Sequence, residues 1–222
     1  MNERLDVKRL SIWAAITIAI IALNFAAYYA STDTSSSKDA LFKWSFAVSN
    51  AIVLLIWIAI SLAISNKRPE LRALRRSRLS VRAAVGLGLL SVAGLFVASV
   101  IVSAIGGRPG EEQGLLNEHW HSNRLAPFVA STLILTILTP FAEELFVRGL
   151  GVGLVQPLGQ VATLTVPALA WALMHGIPSA IFPLFVFGIG LAYLRERSDS
   201  VIPGMIVHGL YNGLALALAF TT

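Results

Sequence analysis

The sequence predicts an all-α fold, a polytopic bundle of about seven membrane helices. Hydrophobic residues make up 56% of its 222 positions and charged residues only 13%, against about 25% charged residues in soluble proteins. The mean hydropathy is +0.74. About 20 apolar residues suffice to cross a bilayer as a helix, and the chain contains several runs of that length. We therefore expect a single integral-membrane domain over residues 1–222.

Three apolar runs occupy the first half of the chain, at 10–30, 41–64 and 83–105. The first run is longer than the core of a signal peptide, which predicts a retained helix. The loop at 67–82 carries seven of the 17 Lys and Arg residues, and a short basic loop is typical of the cytoplasmic side. We expect a cell-membrane protein with a cytoplasmic N-terminus and, after seven helices, an outside C-terminus, with membrane lipid as its surroundings.

The apolar runs of the second half are interrupted by proline, glycine and polar residues. They predict a long helix over 125–155, a turn at 156–160 and three further helices over 161–175, 180–194 and 201–220. Helices 1–105 contain no motif that suggests chemistry. Because broken helices expose backbone groups that lipid cannot satisfy, function is expected in this second half.

Few ionisable residues fall inside these helices, and five of them lie within the helices of the second half of the chain. A charge at the bilayer centre costs at least about 2.5–3.5 kcal/mol, so such residues face a protein interior or a hydrated cavity and indicate a functional site. Lys43 lies near a helix end. The other five lie deeper, and they are Glu143, Glu144, Arg148, His175 and His208.

The stretch TPFAEELFVRG separates these charges by role. Glu144 and Arg148 are spaced i, i+4, which predicts an ion pair that braces the helix. Glu143 points about 100° away around the helix, so it is expected to be left free for chemistry. Pro140 lacks an amide hydrogen and is expected to disrupt the preceding turn.

Two further motifs carry polar residues at the same helical spacing. WALMHG places Trp171 and His175 four residues apart, and HGLYNG does the same for His208 and Asn212. A carboxylate can deprotonate water, an imidazole can relay a proton or bind a metal, and an amide can donate to an oxyanion. Together with Glu143 they have the composition of a hydrolase site.

The three ordered motifs resemble the CPBP family, the CAAX-protease and bacteriocin-processing (Abi) membrane proteins. Glu-Glu-xxx-Arg, aromatic-xxx-His and His-xxx-Asn follow one another over about 139–213, with Trp171 where the family usually has Phe. The resemblance implies a catalytic core over 125–220 in an intramembrane endopeptidase, labelled a metalloprotease in the family. It identifies Glu143 as the water-activating base and His175 as its partner.

The resemblance also implies that His208 and Asn212 bind the oxyanion or a metal, and that Glu144, Arg148 and Trp171 support the site. Two histidines and a glutamate match a Zn²⁺ site with three protein ligands, which would be Glu143, His175 and His208. A metal-free mechanism with Glu143 and His175 fits the same residues, and the sequence leaves both open. The site is expected in a cavity on the cytoplasmic side, beside a protruding elbow at 149–160.

Two functions other than an endopeptidase are compatible with these residues. A non-proteolytic immunity or partner-binding protein of the same fold and a small proton-coupled transporter both remain alternatives; inverted repeats typical of transporters are not evident. The expected substrate is a membrane-associated peptide or protein, prenylated in one branch of the family, and no nucleic-acid partner is expected. The oligomeric state is unknown from the sequence. His119 and His121 form an H-x-H pair that is interpreted as part of a solvated loop.

Overall fold

The computed structural model describes residues 5–30, 39–65, 73–108 and 120–220. Within these ranges the chain forms helices and no β-strand, so the predicted all-α bundle is confirmed. Six helices are long and apolar enough to cross a membrane, and a seventh is shorter. They are α1 (Val7–Ala30), α2 (Trp44–Ser65), α3 (Val81–Ala104), α4 (Ser122–Leu158), α5 (Gln160–Met174), α6 (Ile181–Ser198) and α7 (Ile202–Ala219).

Helix α4 is interrupted twice by wider π turns, at Ile134–Leu138 and at Leu145–Gly151. The first interruption lies directly before Pro140, and there the amide of Thr139 donates to the carbonyl of Ile134, five residues back. A proline has no amide hydrogen for the regular ladder, so the predicted disruption before Pro140 is confirmed. The two π turns flank Glu143 and Glu144.

The helices pack around a core that lies in the second half of the chain. Helix α6 packs between α3 and α5, and α7 packs against the first π turn of α4. The faces of α2 and α3 that point away from this core carry exposed apolar side chains, such as Val53 and Leu89. Such side chains are expected on surfaces that face lipid. The largest buried side chains of the core are Trp13, Phe146, Trp171, Phe187, Leu150 and Leu191.

The loop between α2 and α3 is tied to the turn between α6 and α7. Asp199 forms ion pairs with Arg75 and with Arg78, the latter at 3.0 Å. Arg195 lies 3.4 Å from the same carboxylate, and the hydroxyl of Ser200 donates to the carbonyl of Arg75 at 2.6 Å. Several arginines that predicted a cytoplasmic loop therefore also hold the start of α7 in place.

The predicted elbow at 149–160 was wrong for its first part. Residues 149–155 are mostly buried, because α1 packs against them: a Cβ atom at Gly151 would lie 2.6 Å from the Trp13 ring. Only the turn at 156–160 is exposed. Helix α6 also continues four residues beyond the predicted end at 194, through the sequence RERS.

The H-x-H pair is only partly covered by the structure. His119 lies outside the described residues. The Nε2 atom of His121 lies 2.9 Å from Oδ1 of Asp39, and its ring packs edge to face against Phe42 at 5.2 Å. His121 thus joins the segment before α2 to the start of α4, away from the glutamates of α4.

Candidate active site

Glu143 is held by an indole. Its side chain lies in the short α-helical stretch Thr139–Glu144 between the two π turns of α4, and the residue is 9% exposed. The Nε1 atom of Trp171 on α5 donates to Oε2 of Glu143 at 2.5 Å. Glu143 thus has a hydrogen-bond partner other than Arg148, because Trp171 supplies a donor that the family's usual phenylalanine lacks.

His208 lies between the two adjacent glutamates. Its Nδ1 atom is 3.2 Å from Oε1 of Glu144, and its Nε2 atom is 4.0 Å from Oε2 of Glu143. Because a carboxylate only accepts hydrogen bonds when ionised, Nδ1 of His208 carries a hydrogen and donates it to Glu144. Glu144 therefore fixes the ring orientation and aims Nε2 toward Glu143.

The predicted ion pair between Glu144 and Arg148 is confirmed. Nη1 of Arg148 lies 2.9 Å from Oε1 of Glu144, and both side chains are almost fully buried. Nη2 also donates to the carbonyl of Gly188 on α6 at 3.3 Å, and the guanidinium lies 4.6 Å from the centre of the Trp171 ring. Arg148 thus links α4 to α5 and α6 with the multiple contacts that a buried charge requires.

His175 follows the last residue of α5 and is half-buried. Its Nδ1 atom lies 2.8 Å from the carbonyl oxygen of Trp171, one turn back. Since a carbonyl can only accept, Nδ1 carries the hydrogen and Nε2 of the neutral ring keeps its lone pair.

Aromatic rings surround the two histidines. The Trp171 ring lies edge to face with His175 at 4.7 Å and with His208 at 5.3 Å. Phe187 of α6 meets His208 at 6.1 Å with the ring planes at 90°. These contacts fix the imidazoles by packing as well as by hydrogen bonds, which is the support that a precise site needs.

Asn212 docks α7 against the broken turn of α4. Its Nδ2 atom donates to the carbonyl of Leu135 at 2.9 Å. In a π turn this carbonyl would accept from the residue five positions on, which is Pro140, and proline has no amide hydrogen. Asn212 supplies the missing donor. One hydrogen of the amide is used in this way, and the second is the one that the expected oxyanion role would use.

Gly209 allows the same two helices to touch. A Cβ atom at Gly209 would lie 2.3 Å from the carbonyl oxygen of Thr136, closer than any side chain could be accommodated. At Gly204, one turn before His208, the contact is less close, because a Cβ atom would be 3.1 Å from Oε2 of the Glu144 side chain. The glycines of α7 therefore determine how closely His208 approaches the glutamates.

Glu143, His175 and His208 are the residues that would hold a zinc ion. Among the residues that the structure describes, no three His, Cys, Asp or Glu side chains form a group that could hold a metal ion. Nε2 of His208 is 4.0 Å from Oε2 of Glu143, and that oxygen already accepts a hydrogen bond from Trp171. We therefore derive no step through a metal.

The comparison with protein families adds a finding independent of this geometry. Residues 125–214 match the model described as type II CAAX prenyl endopeptidase Rce1-like. This segment, the Rce1-like segment, resembles that family over less than half of the chain. It includes α4, α5, α6 and most of α7, with all seven residues expected at the site, and it supports the CPBP and CAAX-protease relationship that the three motifs indicated. No curated protein and no solved structure matched the chain.

The Rce1-like segment brings together most residues that its sequence singled out. Contacts within 4.0 Å join Glu143, Trp171 and His208 on one side and Glu144, Arg148 and His208 on the other. Asn212 lies one turn beyond His208 but faces the backbone of α4. Sequence reasoning missed the ring of Phe187 and the carbonyls of Gly188 and Leu135, because backbone acceptors and apolar walls leave no distinctive pattern.

Proposed function

We propose that this integral membrane protein is a CAAX-type intramembrane endopeptidase that hydrolyses a peptide bond in a membrane-associated substrate. The observation that carries the proposal is the arrangement around Glu143. The nearly buried carboxylate lies 4.0 Å from Nε2 of His208, and Trp171, its hydrogen-bond donor, contacts the ring of His175. The Nδ1 atoms of both histidines are engaged, so their Nε2 atoms remain for chemistry. The Rce1-like match over residues 125–214 supports the same class of reaction.

Glu143 serves as the general base in this proposal. Its carboxylate accepts a proton from water, and the hydroxide formed attacks the scissile carbonyl carbon. His175 shares this task, because Nε2 of its neutral ring can accept a hydrogen bond from the same water. The hydrogen bond from Trp171 holds the carboxylate in one orientation, which lowers the entropy lost on reaching the transition state.

His208 serves as the oxyanion partner. In its protonated form it donates from Nε2 to the tetrahedral oxyanion, while Nδ1 keeps its own hydrogen and donates it to Oε1 of Glu144, 3.2 Å away. The Glu144 carboxylate stabilises the imidazolium, as the aspartate of a catalytic triad does. The second amide hydrogen of Asn212 is the further donor. When the tetrahedral intermediate collapses, the C–N bond breaks and Glu143 returns its proton to the leaving amine.

The most direct test measures cleavage with defined probes. Wild type and Glu143→Gln are purified in detergent and incubated with an internally quenched farnesylated CAAX peptide and with its non-prenylated twin. We expect cleavage by wild type and none by Glu143→Gln. Gln retains the shape of the side chain and an acceptor oxygen for Trp171, so loss of activity would reflect loss of the base.

A second arm covers substrates other than these peptides. Membranes from cells producing wild type or Glu143→Ala are compared by profiling all peptide termini. New termini that appear only with wild type support an endopeptidase and identify the substrate. Identical termini in both samples, together with two uncleaved probe peptides, would overturn the proposed function.

A further inference from the structure

Helix α1 lies outside the Rce1-like segment, yet it contacts the turn that carries His175. Asn24 is a polar residue in an otherwise apolar stretch of α1, and its Nδ2 atom donates to the carbonyl of Met174 at 2.5 Å. Hydrogen bonds from asparagine join helices in membranes because few other partners are present there. This bond links α1 to the last residue of α5.

The carbonyl of Met174 needs an external donor. The last four carbonyls of a helix have no partner within it. Here the amide of His175 bonds the carbonyl of Ala172 at 3.3 Å and the amide of Gly176 bonds that of Leu173 at 3.0 Å. Pro178, four residues after Met174, has no amide hydrogen to offer. Asn24 is the donor that satisfies the carbonyl directly before His175.

The backbone of α1 also lies against the residue that follows His175. Gly176 has φ +66°, in the left-handed region that favours glycine. A Cβ atom at this position would lie 2.7–2.9 Å from the backbone and Cβ of Asn24. The turn after α5 is therefore fixed on one side by its own conformation and on the other by α1.

We propose that Asn24 is a positioning residue for His175. Its hydrogen bond holds the final turn of α5 closed, and this turn sets the contact at 2.8 Å between Nδ1 of His175 and the carbonyl of Trp171. That contact favours the neutral tautomer with hydrogen on Nδ1, in which Nε2 keeps its lone pair. Helix α1 thus helps to position a residue of the site, although it carries no motif of its own.

The expected effect of Asn24 on catalysis rests on the proposed function. Residues that orient a reacting group from outside typically change activity by about 10- to 100-fold. We expect Asn24→Leu to lower kcat for the cleaved probe peptide by this factor. KM should stay within about twofold of wild type, because a misplaced proton acceptor affects the transition state and not substrate binding.

The structural arm of the test does not depend on activity. Full-length protein is labelled with ¹⁵N in the histidine rings, and the His175 signals are assigned by comparison with His175→Gln. In wild type we expect the tautomer with hydrogen on Nδ1. In Asn24→Leu we expect that signal to shift toward a mixture of tautomers. Asn24→Ala serves as a second variant, since it removes the donor without adding bulk against Gly176.

Asn50→Leu is the matched control. Nδ2 of Asn50 donates to the carbonyl of Phe46 at 2.9 Å, within α2 and remote in sequence from the site. The Asn50→Leu variant should leave kcat and the His175 spectrum unchanged. An unchanged His175 tautomer in both Asn24 variants would overturn the proposal, as would a kcat equal to wild type. If wild type cleaves no probe and the terminus profiles are also identical, the proposed function fails and the ¹⁵N spectra alone decide the role of Asn24.

Discussion

The indole Nε1 of Trp171 lies 2.5 Å from Oε2 of Glu143. This contact changes the interpretation of the one position at which the chain departs from the CPBP motif pattern. A phenylalanine could form the edge-to-face contacts with His175 and His208 but could not donate a hydrogen bond. The exchange to tryptophan thus adds a polar contact to the proposed base itself.

Trp171→Phe should therefore separate packing from hydrogen bonding. We expect the variant to cleave the probe peptide with a rate within about tenfold of wild type, because the aromatic contacts remain. Its stability should fall by about 1.5–3 kcal/mol, the usual worth of a hydrogen bond to a charged group. Trp171→Leu, which loses both, should be inactive. A Trp171→Phe protein as stable as wild type in thermal denaturation would contradict the contact.

Glu144 is expected to act both as the partner of Arg148 and as the acceptor for His208. Glu144→Leu leaves a buried arginine unpaired and should cost about 3–5 kcal/mol of stability. Adding Arg148→Met removes the unpaired charge and should recover most of that loss. Cleavage should stay absent in the double variant, since Nδ1 of His208 still lacks its acceptor. Recovery of both stability and cleavage would show that Glu144 and Arg148 only stabilise the fold and that His208 does not need Glu144 as its acceptor.

Asn212 and Pro140 should be coupled in a double-mutant cycle. Asn212→Leu leaves the carbonyl of Leu135 without a donor and should cost about 1–3 kcal/mol. In the Pro140→Ala background a main-chain amide becomes available, so the same change should cost less, with a coupling energy of about 0.5–2 kcal/mol. Unfolding midpoints in detergent measure the cycle.

Pro167 provides the control for this cycle, because it is a buried proline inside α5. Pro167→Ala also restores an amide hydrogen, but on another helix. The effects of Pro167→Ala and Asn212→Leu should add within about 0.5 kcal/mol. Equal coupling of Asn212 to both prolines would show that the Leu135 contact is not the cause.

Two glycines of α7 offer a matched pair. A Cβ atom at Gly209 would lie 2.3 Å from the Thr136 carbonyl oxygen, whereas at Gly213 it would lie 3.7 Å from the Thr136 methyl group. Gly209→Ala must push α7 away from α4 and should destabilise the protein by about 1–3 kcal/mol, as overpacking does, and abolish cleavage. Gly213→Ala should be tolerated in both assays. Equal behaviour of the two variants would argue against close helix contact at Gly209.

Metal removal should have no effect on the proposed reaction. The purified protein is analysed for zinc before and after dialysis against a chelator, and cleavage of the probe peptide is measured at each stage. We expect full activity without stoichiometric metal, because Glu143, His175 and His208 are not grouped as ligands. Loss of cleavage on chelation and its return with Zn²⁺ would establish the metal mechanism that the sequence left open.

Much of the site could be predicted because each motif lies within one helical turn. The i, i+4 spacing alone placed Arg148 beside Glu144, and the missing amide of Pro140 alone predicted the disturbed turn before it. The lengths of the apolar runs predicted the helices to within a few residues, except where the basic end of α6 continues as helix to Ser198. These features follow from local backbone geometry, which a sequence specifies directly.

The partners of those residues were decided by tertiary structure. The sequence determined a membrane helix bundle in which Glu143, His175 and His208 needed shelter from lipid. Only the packing of α5 against α4 gave Glu143 the Trp171 donor, and only α7 placed His208 between two glutamates 64 and 65 residues away in the chain. Asn24 joined the His175 turn across 150 residues. Contacts between helices depend on how glycines and aromatic rings fit together in three dimensions, and no spacing within one helix encodes that fit.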